Sequence, residues 1–550
     1  MSGVVGPDPG VPAAGAPRAV ELYDTTLRDG AQRAGLSYTI EDRLRILHRL
    51  DQIGVPFIEG GWPGANPRDS EFFQLATKER LATSTLTAFG MTRKAGERPE
   101  ASAVLRELLD AGTEVICLVG KSWDRHVTEA LRTDLAEGVA MVRDSIAFLR
   151  AQGRRVFFDA EHFFDGYARN PAFALEVLHA SQEAGAERVV LCDTNGGALP
   201  GDVERVVREV LATAEVPLGI HVHNDAGCAV ANSLIAVESG VLQVQCTVNG
   251  YGERAGNADL VPIAADLALK MGAEVLPQAS IERLTDLAHY VAEVANIAPD
   301  PHQPYAGRFA FTHKAGLHSS GVARLEDAYE HVPPASVGNR RGVVASDLGG
   351  AATLRMKAAE FGIDLPQDAI AGLLGEVKER EARGYTFEVA DASLELLMRR
   401  HLGWQQPFFE PESFRVHVEH DASGRLAEAT VKLTANGERH IESAEGRGPV
   451  GALDDALRKA LANAYPELEH LALEDYRVRV LEDSAGTGAT VRVLIDTTNH
   501  QRGWTTVGVS EDIIGASWEA LVDGYLFGLL HPRDDVDGGG EVPGSDPAAR

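Results

Sequence analysis

Eight short runs of β-forming residues alternate with amphipathic helical segments through the first half of the chain, and this alternation is the strongest constraint on its fold. The runs extend from AVELYDT, which starts at residue 19, to VLQVQCTVNG, which starts at residue 241. Helical segments such as IEDRLRILHRLDQIG lie between them. Strands that alternate with helices form parallel sheets. Eight such units in about 270 residues predict a TIM barrel, and a doubly wound open sheet is the alternative topology.

The second half of the chain follows two other patterns. Residues 291–404 contain helical segments and loops such as HVPPASVGNRRG. Beyond Trp404, period-two segments followed by one helix occur twice, which predicts an α+β domain built from an internal repeat. The predicted organisation is a disordered arm (1–18), the barrel (19–290), helical linker subdomains (291–404), the repeat domain (405–531) and a disordered tail (532–550).

Composition excludes several classes of protein. The formal net charge of -29 argues against a nucleic-acid-binding protein and against binding to an anionic membrane surface. We find no stretch that is long and apolar enough to span a bilayer. The four cysteines form no C-x-x-C pair, which makes a zinc ribbon or a redox pair unexpected and fits a reducing compartment. These observations together predict a cytoplasmic protein.

Almost every predicted barrel strand ends in chemically active side chains, and the first ends in Arg28 and Asp29. In a TIM barrel the carboxyl ends of the strands share one rim, where active sites lie. Polar residues are expected at one or two strand ends, because the chain leaves the core there. This effect alone explains poorly why carboxylates and imidazoles occur at nearly every strand end. The residues concerned are Arg28, Asp29, Glu59, Glu161, His162, Asp193, Thr194, Asn195, His221, His223, Asn224, Asp225, Thr247 and Asn249.

The segment HVHND contains the strongest single signal. His221 and His223 are two residues apart on a predicted strand, so their side chains point to the same face. The H-x-H pattern alone is often incidental, but here it ends one predicted barrel strand, and Asp29 ends another. Two imidazoles and one carboxylate suit a catalytic divalent metal ion. The sequence therefore predicts a metal site at the rim.

Two further segments allow more than one interpretation. The glycine-rich segment NGYGERAGNADL, residues 249–260, lacks the G-x-G-x-x-G spacing of a dinucleotide site. It could cradle a phosphate, or its glycines could serve a loop that requires positive φ angles. The segment FTHKAGLHSSGV contains His313 and His318, which are either structural or part of a loop that reaches the rim.

Four of these segments in combination closely resemble the family of isopropylmalate, homocitrate and citramalate synthases. They are YDTTLRDGAQ, GIHVHNDAGCAVANSL, CTVNGYGERAGNADLV and HKAGLHSSGV. The resemblance continues through the repeat domain and covers nearly the whole chain. The phrases EGGWPGANPRDSEFF, GNRR and EFGIDL are similar to the citramalate branch of the family.

The resemblance implies a metal-dependent Claisen-type condensation. Acetyl-CoA and pyruvate would give (R)-citramalate and free CoA, as an entry to isoleucine biosynthesis. The family pattern implies that Asp29, His221 and His223 hold a divalent ion, with Asn257 as a further position. Mixed imidazole and carboxylate ligands admit Mg, Mn, Zn or Co, so the sequence does not distinguish these metals.

The same resemblance assigns roles to further residues. Arg28 would polarise the keto oxygen and bind substrate, and Thr194 would hold the substrate carboxylate. Glu161, together with His318, would remove the acetyl proton or activate the water that cleaves the thioester. His318 and Tyr329 match positions that reach the active site of the partner subunit, which implies a homodimer.

The repeat domain resembles the regulatory domain of these synthases, which implies allosteric inhibition by isoleucine. The turns at 448–451 and 514–517 precede its two helices and either accept an amino-acid carboxylate or only cap the helices. Three alternatives stay open at this point. The chain could act on the 2-oxo acid of isopropylmalate or homocitrate synthesis, it could be a carbon–carbon lyase on the same barrel, or it could be an amino-acid sensor.

Overall fold

The computed structural model describes residues 18–313, 329–343, 350–404, 408–421, 424–481 and 489–533. The chain divides into two compact units. The first comprises Met1–Phe311 and Glu330–Arg341, and the second comprises Thr312–Tyr329 and Gly342–Arg550.

The first unit is built on a closed barrel of eight parallel strands. Strand β1 pairs with β2 on one side and with β8 on the other, where Asp24 lies opposite Cys246. This closure confirms the predicted TIM barrel and excludes the doubly wound open sheet. The strands are β1 (Glu21–Asp24), β2 (Phe57–Gly61), β3 (Thr85–Met91), β4 (Val115–Lys121), β5 (Arg155–Glu161), β6 (Arg188–Asp193), β7 (Leu218–Val222) and β8 (Gln243–Cys246).

Helices connect successive strands and cover the outside of the barrel. Their ends follow local sequence signals, as in the helix Ile40–Ile53, which begins with a capping box between Thr39 and Asp42 and ends at Gly54 with φ 90°. The α-helices of this unit are Ile40–Ile53, Pro67–Ala76, Ala103–Asp110, Leu135–Ala151, Phe163–Arg169, Pro171–Glu183, Pro200–Leu211, Ala229–Ser239, Leu260–Leu269, Gln278–Ile281 and Leu284–Val294.

Alternating positions along the strands belong to two different hydrophobic clusters. On β5, Phe158 joins the large cluster between strands and helices, whereas Phe157 joins a small cluster inside the barrel. The inner cluster is mainly aromatic, and the ring centroids of Phe57 and Phe157 are 5.0 Å apart in an edge-to-face arrangement. The barrel is therefore filled with side chains, and its rim is the floor on which a site can be built.

In its described part, the second unit places three helices ahead of two small sheets. The helices Ala351–Glu360, Ala369–Ala382 and Asp391–His401 supply most of one hydrophobic cluster. Each of these two sheets has three antiparallel strands and is followed by one helix, which confirms the predicted α+β repeat. A separate parallel pair of two-residue strands precedes them in the chain. The elements are β9 (Thr312–His313), β10 (Gly342–Val343), β11 (Phe409–Asp421), β12 (Gly424–Ala435), β13 (Glu438–Gly446), the helix Pro449–Leu461, β14 (Ala472–Val480), β15 (Val491–Thr498), β16 (Gly503–Ser510) and the helix Ile513–Leu530.

The last helix corrects one expectation from the sequence. Ile513–Leu530 is long and apolar enough, by length and composition, to span a bilayer, so the expectation that no stretch of the chain meets this criterion is wrong. In the structure, 61% of this segment is buried, and Ala516, Ala520 and Leu521 belong to the core of the repeat domain. Its apolar composition thus has a structural cause, since both β15 and β16 lie against it.

We expect Phe157→Ala to lower the free energy of unfolding by about 3–5 kcal/mol, because it removes a fully buried ring from the inner cluster of the barrel and leaves a cavity. Denaturant titration followed by circular dichroism measures the change. Leu199→Ala is the matched control, since Leu199 is 55% exposed and its truncation should shift stability by less than about 0.5 kcal/mol. Equal losses in the two variants would contradict the filled-barrel description.

Candidate active site at the barrel rim

Asp29, His221 and His223 converge at the rim of the barrel. The Oδ2 atom of Asp29 is 3.3 Å from Nε2 of His221 and 3.6 Å from Nε2 of His223. All three side chains are buried, and their potential ligand atoms lie within 4.8 Å of one another. Among the described residues, this is the only group of three or more His, Cys, Asp or Glu side chains with metal-site spacing. The residues predicted from HVHND and from the first strand therefore meet at one point.

The two histidines take their positions from β7. His221 lies within the strand, and His223 follows its last residue, so the period of two places both rings on one face with centroids 5.1 Å apart. Asp29 is positioned differently from the sequence-based expectation. Strand β1 ends at Asp24, and Asp29 lies beyond a tight turn in which the Thr25 carbonyl accepts bonds from the amides of Arg28 and Gly30.

Asn257 completes the cluster from the glycine-rich loop after β8. Its Nδ2 donates to Oδ2 of Asp29 at 2.8 Å, while its Oδ1 is buried and has no hydrogen-bond partner in the described part of the chain. A Cβ at position 252 would lie 1.8 Å from that Oδ1, so only glycine leaves room for the amide. Gly250 and Gly256 have φ angles of 61° and 93°. The loop therefore needs its glycines for conformation and for close approach.

The electrostatic balance keeps Asp29 ionised and both imidazoles neutral. Burial alone would raise the pKa of the Asp29 carboxyl, but Arg28, the two histidines and Asn257 together lower it to about 2. Burial lowers the pKa of His221 to about 4 and also lowers that of His223, although Asp29 opposes both shifts. Near neutral pH the cluster thus offers one carboxylate and two imidazole lone pairs, which is a donor set for a divalent cation.

Arg28 is held in place by a second buried carboxylate. Its Nε donates to Oε1 of Glu59 at 2.5 Å, its guanidinium carbon lies 3.9 Å from the Phe89 ring centroid, and Tyr23 donates to the other oxygen of Glu59 at 2.7 Å. Burial by itself lowers the pKa of Arg28, but Glu59 and Asp29 outweigh it and raise that pKa. Glu59, expected at a strand end, lies within β2 and is fully buried. The arginine is therefore charged and fixed in orientation.

A cavity of about 320 Å³ opens beside this cluster. Arg28, Asp29, His221 and His223 line it together with Glu161 and Thr194. Glu161 forms an ion pair with Lys121, the last residue of β4. The Thr194 hydroxyl accepts a hydrogen bond from the backbone amide of His162 at 2.9 Å. The cavity is therefore bordered by cations, carboxylates and a hydroxyl, as expected of a site for a small polar ligand.

Several strand-end residues serve local structure. Asp193 accepts bonds from the amides of Gly197 and Ala198, and the Thr247 hydroxyl donates to the Tyr251 carbonyl. Asn249 donates to the Ala288 carbonyl at 2.9 Å. For these positions the simpler interpretation, polarity where the chain leaves the core, is correct.

The sequence pattern did not point to several residues that line the cavity or lie directly beneath its lining. Asp159 and Gln245 lie among apolar neighbours inside strands, where period-two inspection could have identified them as facing the barrel interior. Lys121 ends a strand as Glu161 does, and the same argument could have found it. Arg254 gave no signal in the sequence. It lines the cavity, pairs with Asp225 and donates to the Thr194 carbonyl at 2.8 Å.

Two predicted site residues, His318 and Tyr329, belong to the segment that follows the barrel. His318 lies outside the described residues. Tyr329 belongs to the second unit, where it is 41% exposed and its ring centroid is 6.3 Å from that of His313. Both assignments stay predictions from the resemblance.

Three family models match successive parts of the chain. The HMGL-like model matches residues 19–291 and therefore covers the barrel. A model described as homocitrate synthase post-HMGL domain-like matches residues 306–384, and the LeuA allosteric (dimerisation) domain matches residues 388–527.

Curated relatives match over nearly the full length. An (R)-citramalate synthase of Streptomyces coelicolor is 53% identical, and the alignment covers 92% of this chain and 96% of the relative. The (R)-citramalate synthase of Synechocystis is 49% identical with the same two coverages. A probable 2-isopropylmalate synthase of Methanopyrus kandleri is 32% identical over 92% of this chain and 98% of the relative. The chain therefore belongs to the (R)-citramalate synthase family of HMGL-like condensing acyltransferases.

Proposed function

We propose that the chain condenses acetyl-CoA with pyruvate to give (R)-citramalate and free CoA. A carbon–carbon bond forms between the acetyl methyl carbon and the keto carbon of pyruvate, the methyl proton leaves, and the keto oxygen becomes a hydroxyl. Water then cleaves the thioester and releases the thiol. The observation that carries the proposal is the Asp29–His221–His223 cluster beside Arg28 in a chain 53% identical to an (R)-citramalate synthase.

A divalent metal ion fits the cluster. Asp29, His221 and His223 would hold it, and Oδ1 of Asn257, which has no hydrogen-bond partner among the described residues, is a further candidate ligand. When bound, such an ion supplies Lewis-acid polarisation of a 2-oxo acid and a template for its orientation. The neutral state of both imidazoles supports this assignment, because a protonated ring nitrogen offers no lone pair.

Arg28 would stabilise the negative charge that develops on the keto oxygen. Its Nη1 is 3.5 Å from Oδ1 of Asp29, so the guanidinium lies directly beside the proposed metal-binding carboxylate. Because Glu59 and Phe89 already fix the group, little reorganisation is needed when charge appears.

Thr194 and Glu161 also line the cavity and would act on the substrates there. We assign the Thr194 side chain to the substrate carboxylate, because it lines the cavity with its position fixed by the His162 amide. Among the residues that the structure describes, Glu161 is the candidate for accepting the methyl proton or activating water. Its ion pair with Lys121 orients the carboxylate. His318 shares this assignment, and the choice between the two stays open.

The proposal extends to assembly, regulation and location. The match to a dimerisation domain and exposed apolar side chains on the small sheets, such as Ile441 and Val480, support a homodimer in which His318 and Tyr329 reach the partner's site. The same match supports allosteric regulation, and we assign the inhibition to isoleucine because it is the end product of the proposed pathway. We also propose that the protein works in the cytoplasm.

Release of CoA from acetyl-CoA across a panel of 2-oxo acids tests the reaction. We expect rapid release with pyruvate, weak release with 2-oxoisovalerate and 2-oxoglutarate, and loss of activity after EDTA treatment that added Mn²⁺ or Zn²⁺ restores. A preference for one of the larger acids would move the chain to isopropylmalate or homocitrate synthesis. Absence of release with all three, combined with cleavage of citramalate or related acids, would favour a lyase.

We expect His223→Ala to reduce turnover and Mn²⁺ affinity by more than about 100-fold. Removing a residue that only bonds to a metal ligand typically lowers metal affinity about 10- to 100-fold, and removing the ligand itself should lower it further. Isothermal titration with the EDTA-stripped protein measures the affinity, and thermal unfolding checks the fold. His48→Ala is the control, since this half-exposed histidine pairs with Glu79 away from the cluster. Unchanged Mn²⁺ affinity in the His223 variant would disprove the proposed ligand set.

Gly252→Ala should reduce Mn²⁺ affinity and turnover together, by about 10-fold or more, because the new methyl group displaces the Asn257 amide that supports Asp29. The same substitution at Gly201, where a Cβ meets nothing within 4 Å, should leave both quantities unchanged. Identical behaviour of the two variants would show that Asn257 has no role in the site.

Isoleucine should inhibit the full-length chain in an assay with pyruvate, whereas leucine and lysine should not. We expect a chain truncated after residue 404 to lose this inhibition if it retains activity, because the proposed effector site lies in the removed domain. Inhibition by leucine instead of isoleucine would assign the regulation to another pathway.

A further inference from the structure

A buried hydrogen-bond relay connects His221 to the interior of the barrel. Nδ1 of His221 is 2.8 Å from Oε1 of Gln245, and Nε2 of Gln245 donates to Oδ1 of Asp159 at 2.8 Å. The three residues lie on β7, β8 and β5, and they are 6%, 1% and 3% exposed. Neither Gln245 nor Asp159 belongs to the cluster around Asp29, yet both are held next to it.

The relay has a direction that follows from the chemistry of its members. The Asp159 oxygen accepts, so it faces the amino end of the Gln245 amide, and the amide oxygen must face His221. An amide oxygen only accepts, so the ring proton of neutral His221 lies on Nδ1. Nε2, which is 3.3 Å from Oδ2 of Asp29, therefore has a free lone pair.

We propose that Gln245 and Asp159 are positioning residues that fix the proton of His221 on Nδ1 and so keep Nε2 ready to bind the catalytic cation. This inference rests on the proposed function for the identity of the cation. The proton position itself is a property of the metal-free chain. Partners that hold the second nitrogen of a metal-binding histidine commonly set its tautomer and ring orientation.

Because the relay is buried, its hydrogen bonds matter for the stability of the site. A buried amide without partners is costly, and here both ends of the Gln245 amide are satisfied by residues of two other strands. Burial and the nearby Glu59 raise the pKa of Asp159 to about 7. Oδ1 accepts from the amide both when Asp159 is ionised and when its proton lies on Oδ2, and the contact has this direction.

The same strand provides a natural comparison. Gln243 is two residues earlier on β8, is also fully buried and points to the same face. Its amide donates to Oε2 of Glu21 at 3.3 Å, and Glu21 pairs with Arg188 at the opposite end of the strand from the rim. Gln243 thus resembles Gln245 in size, burial and strand, but its amide bonds to Glu21 instead of His221.

The first test measures the proton position directly. ¹⁵N chemical shifts of the histidine rings in the metal-free wild-type protein distinguish Nδ1–H from Nε2–H, and loss of one signal set in His221→Gln assigns the residue. We expect His221 to carry its proton on Nδ1 between pH 7 and 8. A proton on Nε2 would overturn the proposal, and this result would not depend on whether the chain condenses acetyl-CoA with pyruvate.

The second test compares variants by Mn²⁺ titration. We expect Gln245→Met to lower Mn²⁺ affinity by about 10- to 100-fold, with His221 shifting toward Nε2–H, whereas Gln243→Met leaves affinity and tautomer unchanged. Gln245→Glu alone should also bind weakly, because it places two carboxyl groups against each other. The double variant Gln245→Glu with Asp159→Asn exchanges carboxylate and amide and should regain most of the affinity, because the introduced carboxylate again accepts from Nδ1.

Recovery of Mn²⁺ affinity in the double variant distinguishes a positioning role of Gln245 and Asp159 from a role in packing alone. Wild-type affinity in Gln245→Met, or a double variant that binds no better than Gln245→Glu, would overturn the proposal. If Gln245→Met does not fold, as thermal unfolding would reveal, the comparison of Gln245→Glu with the double variant decides the question. Failure of the wild-type chain to bind Mn²⁺, Zn²⁺ or Mg²⁺ would instead contradict the proposed metal site, and the ¹⁵N result would still decide the relay.

Discussion

The buried carboxylate of Asp29 is the interaction on which the site depends. An ionised carboxylate removed from water is costly unless opposite charges and hydrogen-bond donors compensate for it. Here the Arg28 guanidinium lies beside one oxygen, while the Asn257 amide donates to the other. Because Asp29 and Asn257 are 228 positions apart in the chain, this compensation exists only when the barrel is closed.

Side chains inside the barrel form hydrogen bonds to the charged and metal-binding groups at the rim. Glu59, which accepts a hydrogen bond from Tyr23, binds Arg28, and Gln245 bridges His221 and Asp159. These groups lie in a poorly solvated interior, where electrostatic interactions are stronger than in water and where a misplaced charge is costly. The barrel interior therefore combines two functions: its aromatic cluster stabilises the fold, and its polar layer orients the groups that face the cavity.

The glycine-rich loop after β8 shows how backbone conformation and chemistry are coupled at this rim. Positive φ angles at Gly250 and Gly256 bring Asn257 back toward His223, with which it forms an isolated β-bridge. The absence of a side chain at position 252 leaves space for the Asn257 amide. The loop thus contributes to the site partly through the side chain that position 252 lacks.

The local pattern of the sequence determined the elements and many of the site residues. Alternation of β-forming and amphipathic segments sets the eight strands, since apolar periodicity decides which faces can be buried. The spacing of His221 and His223 places both rings on one face of β7 because the side-chain period of a strand is two. The internal repeat likewise predicted the two small sheets with their helices.

Only the tertiary structure decided how residues from distant strands combine. Closure of β1 against β8 brings Asp29 to the histidines, and register across the barrel places Gln245 between His221 and Asp159. It also decided which polar strand ends face the cavity and which, like Asp193, bond to their own loops. These pairings are absent from the sequence pattern because they depend on strand register and barrel geometry, which long-range packing sets and local preference does not.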